Sequence, residues 1–419
     1  MADVQPLRAL RYDRDTAGPL DRLTAPPYDV IDAAARAELA ARSPYNVVEV
    51  DLPEGDRPYQ RAAELLDEWK RAGVLVQESD PALWALTQSY RLDDGSMGVR
   101  NGFFCKIRIS DYGRGLIRPH ERTHPAAKED RLRLMRETKA NLSPIFALYP
   151  DPQGRAWSAL APVTASGPWG EVTDEDGTTH RIWRVGDPGT IEQVRKTLEG
   201  CELLIADGHH RYETARTYAD EIGGDGEHRY VLMCLVSLSD PGLTILPTHR
   251  LVGGVGEDRL QRLERLLERE FRATSVELED LEPDRVSSDG LPVFGFLDER
   301  RGRALRLELA SPEAADRALA GHVESYRRLD TAVLEKLVLE QALGMTEEDI
   351  AEQRGLGYVR DLDEALALLR GGEYQLAFLL RPTLVEQVRA VADAGETMPP
   401  KSTYFYPKLL SGLLFNPLS

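Results

Sequence analysis

Five consecutive positions, Asp207-Gly208-His209-His210-Arg211, hold a carboxylate, a glycine, two imidazoles and a guanidinium directly after the apolar run Leu203-Leu204-Ile205-Ala206. The apolar run reads as a strand, and the residues from about His210 to Ile222 read as a helix. Gly208 to Arg211 then sit at a helix N-terminus at the carboxyl end of a strand. Free N–H groups and the positive end of the helix dipole make such a place a site for anions, phosphate above all. Gly208 lets a phosphate approach the backbone with no Cβ in the way. His209, His210 and Arg211 add donors, and a guanidinium can fork onto phosphate oxygens. Asp207 could hold Mg²⁺ beside those phosphates. The plainer alternative is that Asp207 is only a helix cap.

A second group is His120-Glu121-Arg122-Thr123-His124. Its spacing is that of the zinc-peptidase motif His-Glu-x-x-His, which needs both histidines one turn apart on a regular helix. Here Pro119 precedes the first and Pro125 follows the second. A residue before proline is pushed out of the α region, so zinc peptidase chemistry is a poor fit. Leu116-Ile117-Arg118 reads as a short strand, and Glu121 as a carboxylate base presented by the loop after it, with His120 or His124 alongside. A third group, Pro399-Pro400-Lys401-Ser402-Thr403, offers an ammonium and two hydroxyls in a rigid loop, a plausible phosphate contact. Ala25-Pro26-Pro27-Tyr28-Asp29 is another rigid loop, with no evident role. There is no GxxxxGK[ST] loop. Gly355-Leu356-Gly357 reaches Arg360 where a dinucleotide fingerprint needs glycine, which excludes that site.

Strands and helices in alternation must position these groups. Helices are expected at Ala33–Arg42, Tyr59–Ala72, Leu132–Lys139, Ile191–Leu198, Thr331–Leu343, Asp363–Leu369 and Thr383–Ala394. Strands are expected at Leu83–Tyr90 and Asn101–Ile109, around a turn at Asp93-Asp94-Gly95, and at Tyr230–Leu238, Tyr358-Val359 and Leu376–Leu380. Val293–Leu297 and Ala304–Leu309 read as a hairpin, and Pro150–Gly170 as a loop. The class is mixed α/β. With 419 residues, two or three domains are expected, cut near 100 and 255.

Net charge is −18 and the isoelectric point about 5.0, so the overall field disfavours nucleic acid and anionic membrane as partners. Three cysteines without CxxC spacing fit a reducing compartment. The N-terminal residues lack an apolar leader core, and the longest apolar runs are strand-sized, so a cytoplasmic protein is expected.

Taken in order, Arg118-Pro119-His120-Glu121, Asp207-Gly208-His209-His210-Arg211, and Pro400-Lys401-Ser402-Thr403 with Phe415-Asn416-Pro417 resemble the free-serine kinases of the ParB/sulfiredoxin-like fold. They are closer still to a family of long uncharacterised bacterial and archaeal proteins. The resemblance implies a ParB/sulfiredoxin-like nucleotide-binding core over residues 101–255, with α/β regions at 1–100 and 256–419, the latter closing the site. It implies Glu121 as catalytic base, with His120, Asp207 and Lys401 in the catalytic set. Gly208, His209, His210, Arg211, Ser402 and Thr403 would bind nucleotide, and Mg²⁺ would sit at Asp207. The implied reaction is phosphoryl transfer from ATP or ADP to the hydroxyl of a small metabolite, free L-serine first. Glu121, Asp207, His209, His210 and Lys401 are expected to converge on one cleft. A non-catalytic, nucleotide-responsive regulatory or scaffold protein is the alternative.

Overall fold

The computed structural model describes residues 3–92, 95–113, 116–121, 125–283 and 290–419, without the side chains of 125–127. Asp93 and Asp94 of the expected turn, and His124 of the His-Glu-x-x-His group, lie outside the described residues. The chain is mixed α/β and divides into two compact units. One comprises Met1–Pro119, Thr123–Thr244 and Pro407–Ser419, and the other His120–Arg122 and Ile245–Tyr406.

The first unit is built on a mixed sheet. Its strands run in the order Ile117–Arg118, Leu203–Asp207, Ile145–Tyr149, Tyr230–Ser237, Met97–Arg108, Leu83–Arg91, Thr179–Val185 and Gly170–Thr173. Tyr230–Ser237 lies parallel to Ile145–Tyr149 and antiparallel to Met97–Arg108. Its residues Val231 to Ser237 are all buried, as the unbroken apolar run requires of a strand covered on both faces. Helices His209–Ile222 and Pro125–Thr138 pack on each other, and Pro58–Arg71 packs on Pro125–Thr138. The last thirteen residues return to this unit. Asn416 and Pro417 pair with Asn141 and Ala140, Phe415 exchanges backbone hydrogen bonds with Leu10, and Ser411 does so with Ala25. Leu409, Leu410, Leu413, Leu414, Phe415 and Leu418 are all buried.

The second unit holds an antiparallel sheet in the order Phe271–Ser275, Arg303–Leu309, Val293–Asp298, Leu376–Leu380, His249–Val252 and Leu356–Val359. Its second and third strands are the expected hairpin. The helix expected at 331–343 begins at Asp330 and widens to i→i+5 hydrogen bonding over Leu334–Ala342.

Two readings of the sequence need correction. Pro150–Gly170 is not simply a loop, because it contains the helix Arg155–Leu160 and a 3₁₀ turn Ala161–Ala165. The Asp151 carboxylate accepts the Ala156 N–H at 2.8 Å, and Ala156 and Leu160 are buried, so a capped turn with an apolar side overrides the loop-like composition. The helix Glu257–Glu270 went unread, although Leu260, Leu263, Leu266 and Leu267 have helical spacing.

Candidate functional site

The strand Leu203–Asp207 carries a register irregularity between Ile205 and Asp207 against Ala147 and Phe146. Leu203 and Ile205 point into the apolar core of the first unit. Regular alternation would send Asp207 the same way. The extra residue at the irregularity re-aims the strand end, a device common beside functional sites. Asp207 instead meets two cations. Lys408 Nζ donates to Oδ1 at 2.9 Å, and Arg211 Nη2 donates to Oδ2. Burial opposes its charge, but Lys408 and Arg211 prevail and hold the carboxyl well below the ordinary carboxylate range.

The helix N-cap is Gly208, which has no side chain to bond the first turn, so Asp207 does not act as the cap. Gly208 has φ 94°, a left-handed conformation that favours glycine. A Cβ there would also stand 3.0 Å from Arg211 Nε, so the missing side chain makes room for the arginine to fold back onto Asp207. Arg211 Nη1 donates to the Pro144 carbonyl. His209 is buried and His210 half-buried in the first turn of the helix. The site has the makings of an anion cradle: helix N–H groups, the His209 imidazole, a guanidinium and an ammonium around one acid.

Lys408 was not foreseen as a site residue. It is one of only eight lysines, but it stands outside any motif and is delivered by tertiary structure. The segment carrying it is held by a buried polar chain within the first unit. Arg100, fully buried, donates to the Pro407 carbonyl and, from Nε at 2.9 Å, to Gln88 Oε1. Gln88 Nε2 donates to the Lys408 carbonyl at 3.0 Å and meets His180 Nδ1 at 3.1 Å, and His180 Nε2 meets Asp174 at 2.8 Å. The Arg100 guanidinium lies over the Phe146 ring at 4.6 Å, and burial pulls its pKa down to about 10. Arg100→Met should therefore lower stability by about 1–3 kcal/mol for each buried acceptor left without its donor. Urea unfolding of parent and variant measures this, and a loss below half a kcal/mol would show that the chain is not needed to hold the segment.

In the second unit the structure brings the other expected residues together. The His120 carbonyl accepts the Met398 N–H at 2.7 Å, placing His120 and Glu121 alongside the loop that carries Lys401. Glu121 Oε1 accepts the Lys401 backbone N–H at 2.8 Å. Lys401 has φ 58°, unusual for a residue with a side chain, so this bond helps hold a strained turn. His120 is fully buried, with Nε2 2.7 Å from Thr403 Oγ1 and its ring edge-on to Phe405 at 5.8 Å. Ser402 is buried too. Its hydroxyl lies 2.7 Å from the Pro399 carbonyl and 3.1 Å from Thr331 Oγ1, and its carbonyl accepts from Thr383. The Ser402 hydroxyl thus serves the loop's own hydrogen bonding.

The residues present do not make a resident Mg²⁺ site at Asp207, whose two oxygens are each engaged by a cation. Among the described residues no group of three or more His, Cys, Asp or Glu side chains could hold a metal.

Comparison with solved structures gives matches of low identity. A conserved hypothetical protein from Pyrococcus furiosus is 16% identical with a TM-score of 0.35, covering 70% of this chain and 88% of its own. A free serine kinase in complex with AMP is 16% identical with a TM-score of 0.35, covering 69% and 83%. SbnI with a C-terminal truncation, from Staphylococcus aureus, is 12% identical with a TM-score of 0.36, covering 71% and 83%. No curated protein sequence matches the chain. Among the described residues no helix is long and apolar enough to cross a membrane. A family model matches residues 4–332, more than three quarters of the chain, and on that match the chain belongs to the family described as protein of unknown function (DUF1015).

Proposed function

We propose that this chain is a small-molecule kinase. It moves a phosphoryl group from ATP or ADP to the hydroxyl of a small metabolite, with free L-serine as the leading acceptor. The observation that carries this reading is the strand end, bulge and helix start at 203–211, where Asp207, Arg211 and Lys408 surround an uncapped helix N-terminus. The motif order gives it a second support, and the reading carries with it, as further parts of the proposal, a ParB/sulfiredoxin-like core for the nucleotide and a cytoplasmic setting.

In the proposed reaction the acceptor oxygen forms a new bond to the terminal phosphorus of the nucleotide. The bridging P–O bond breaks, releasing ADP or AMP, and the hydroxyl proton passes to Glu121. His209, His210 and Arg211 hold the phosphates, as do the helix N–H groups. Lys401 offsets charge on the transferred group, and Thr403 orients His120 beside the base. Phosphoryl transfer depends mainly on such positioning and charge stabilisation.

The bond from Lys401 N–H to Glu121 favours one rival reading, in which Glu121 is a structural latch and the chain a nucleotide-responsive regulator without turnover. A transfer assay from ATP and ADP to a panel of hydroxy amino acids separates the two: a phosphorylated product establishes the kinase, and nucleotide binding without any product establishes the regulator. Arg211→Ala should weaken AMP binding about 10–100-fold, the equivalent of losing one or two charge-assisted contacts. Calorimetry that finds AMP bound equally well by Arg211→Ala and the parent would remove phosphate binding from the 207–211 turn.

A further inference from the structure

Beside the turn, the first unit contains a pocket that the motifs did not foretell. It is walled by Tyr28, Asp51, Arg131, Ser143 and Arg211, over an apolar floor from the helix Pro125–Thr138 and the strand Tyr230–Ser237. Tyr28 belongs to the rigid loop Ala25–Asp29, which otherwise has no role. Two prolines stiffen the loop, and Ala25 is tied to Ser411 by a pair of backbone hydrogen bonds. The Tyr28 ring lies 4.4 Å from the Arg131 guanidinium carbon and 6.0 Å from that of Arg211, so one aromatic face aligns two cations.

Most of the wall satisfies itself. Arg131 Nη1 donates to the Asp51 carbonyl at 2.6 Å and to its carboxylate at 3.3 Å, and Nε donates to Asp130 at 2.8 Å. Ser143 donates to Asp51 Oδ2 at 2.6 Å. Arg211 is different. Its Nη groups serve Pro144 and Asp207, but Nε is buried with no hydrogen-bond partner. A buried guanidinium N–H without an acceptor is uncommon and calls for one from outside the protein. The carboxylates near this wall are already matched: Asp51 and Asp130 by Arg131, and Asp207 by Lys408 and Arg211. The unmet need is for an acceptor of modest charge. The pocket has a cavity volume of about 40 Å³, room for a carboxylate-sized group rather than for a whole ligand.

We propose that this pocket takes the carboxylate of the phosphoryl acceptor, bound by Arg211 Nε and the Arg131 guanidinium under Tyr28. The acceptor is then a small hydroxy acid or hydroxy amino acid rather than a sugar or a simple alcohol. This rests on the kinase reading and narrows its substrate class. Arg211 links the two, since it lines the pocket and also holds Asp207 of the phosphate turn.

The test compares matched acceptors on the full chain. L-Serine, L-homoserine and D-glycerate are each paired with the analogue in which the carboxylate is reduced to an alcohol. Binding is read by calorimetry and transfer by product formation, with parent, Tyr28→Phe and Tyr28→Leu. At least one acid should bind and react at least tenfold better than its reduced partner. Tyr28→Phe should keep that preference and Tyr28→Leu should erase it, with the urea-unfolding midpoint of each variant as the control for folding. Transfer to the reduced analogues as efficient as to the acids overturns the pocket assignment and leaves the kinase standing. Tyr28-dependent binding of an acid without transfer from ATP or ADP overturns the kinase and leaves a carboxylate site. Failure of every acid to bind at millimolar concentration overturns the pocket proposal.

Discussion

Glu121→Gln should lower turnover by about 10²–10⁴-fold, the usual cost of removing a general base, while nucleotide affinity stays close to that of the parent. The substitution is informative because of the second job the structure gives Glu121. Glutamine retains an Oε1 that can accept the Lys401 N–H, so the left-handed turn at Lys401 keeps its support. Only the ability to take up a proton is lost. Single-turnover assays with saturating nucleotide read the chemistry, and calorimetry reads binding. If turnover survives in Glu121→Gln but not in Glu121→Ala, Glu121 is a latch for the Lys401 loop. Asp207 could not simply replace it as base, because its proton affinity is held far below neutral pH by Lys408 and Arg211.

Asp207→Asn should cost about 3–5 kcal/mol of stability, because it leaves two buried cations facing a neutral amide. The Lys408 and Arg211 side chains are only 16% and 11% exposed, so solvent cannot take over the role of the missing anion. The double change Asp207→Asn with Lys408→Met should recover a substantial part of that loss, since it removes one of the stranded charges. Urea unfolding at neutral pH measures both. The pH dependence has a definite sign. A carboxylate whose native pKa is depressed adds stability that is full above its unfolded value, about 3.9, and is lost as pH falls below that toward the native value. The gap between parent and Asp207→Asn should therefore be constant from pH 7 to 5 and narrow in stronger acid. A single variant as stable as the parent would mean that the ion pairs contribute nothing net to the fold.

The strand, turn and helix at 203–222 could be read directly, because an apolar run, a glycine and a polar helix start are local signals. The bulge that turns Asp207 away from Leu203 and Ile205 could not, since it depends on how Phe146 and Ala147 pair across the sheet. The meeting of His120 and Glu121 with the Lys401–Thr403 loop was expected from motif order, and the structure supplies the contacts. Ser402 reads as a nucleotide contact by its hydroxyl and by the resemblance, whereas its burial and bonds to Pro399 and Thr331 become visible only once the loop is folded. Lys408 was illegible for the opposite reason. Nothing around it in sequence marks it, and Arg100, Gln88 and His180, more than two hundred residues away, fix its segment. The strands Gly170–Thr173, Thr179–Val185, His249–Val252 and Phe271–Ser275 were also unread. The exposed end of Phe271–Ser275 shows why, since four of its five residues carry no burial pattern.

The return of Pro407–Ser419 to the first unit bears on how the chain can be made. A ribosome delivers the N-terminal residues first, and domains generally fold as they emerge. The first unit cannot do so completely, because the strand partner of Ala140-Asn141, the backbone ties to Leu10 and Ala25, and Lys408 itself are made only after the whole of the second unit. Until residues 407–419 emerge, Asp207 has Arg211 but not its ammonium partner, and the apolar surfaces that will cover Leu413, Leu414 and Phe415 have nothing against them. A chain that stopped before Lys408 would thus have nearly all these helices and strands encoded yet lack the ammonium partner of Asp207 and the cover for its apolar surface, a natural substrate for proteolytic clearance.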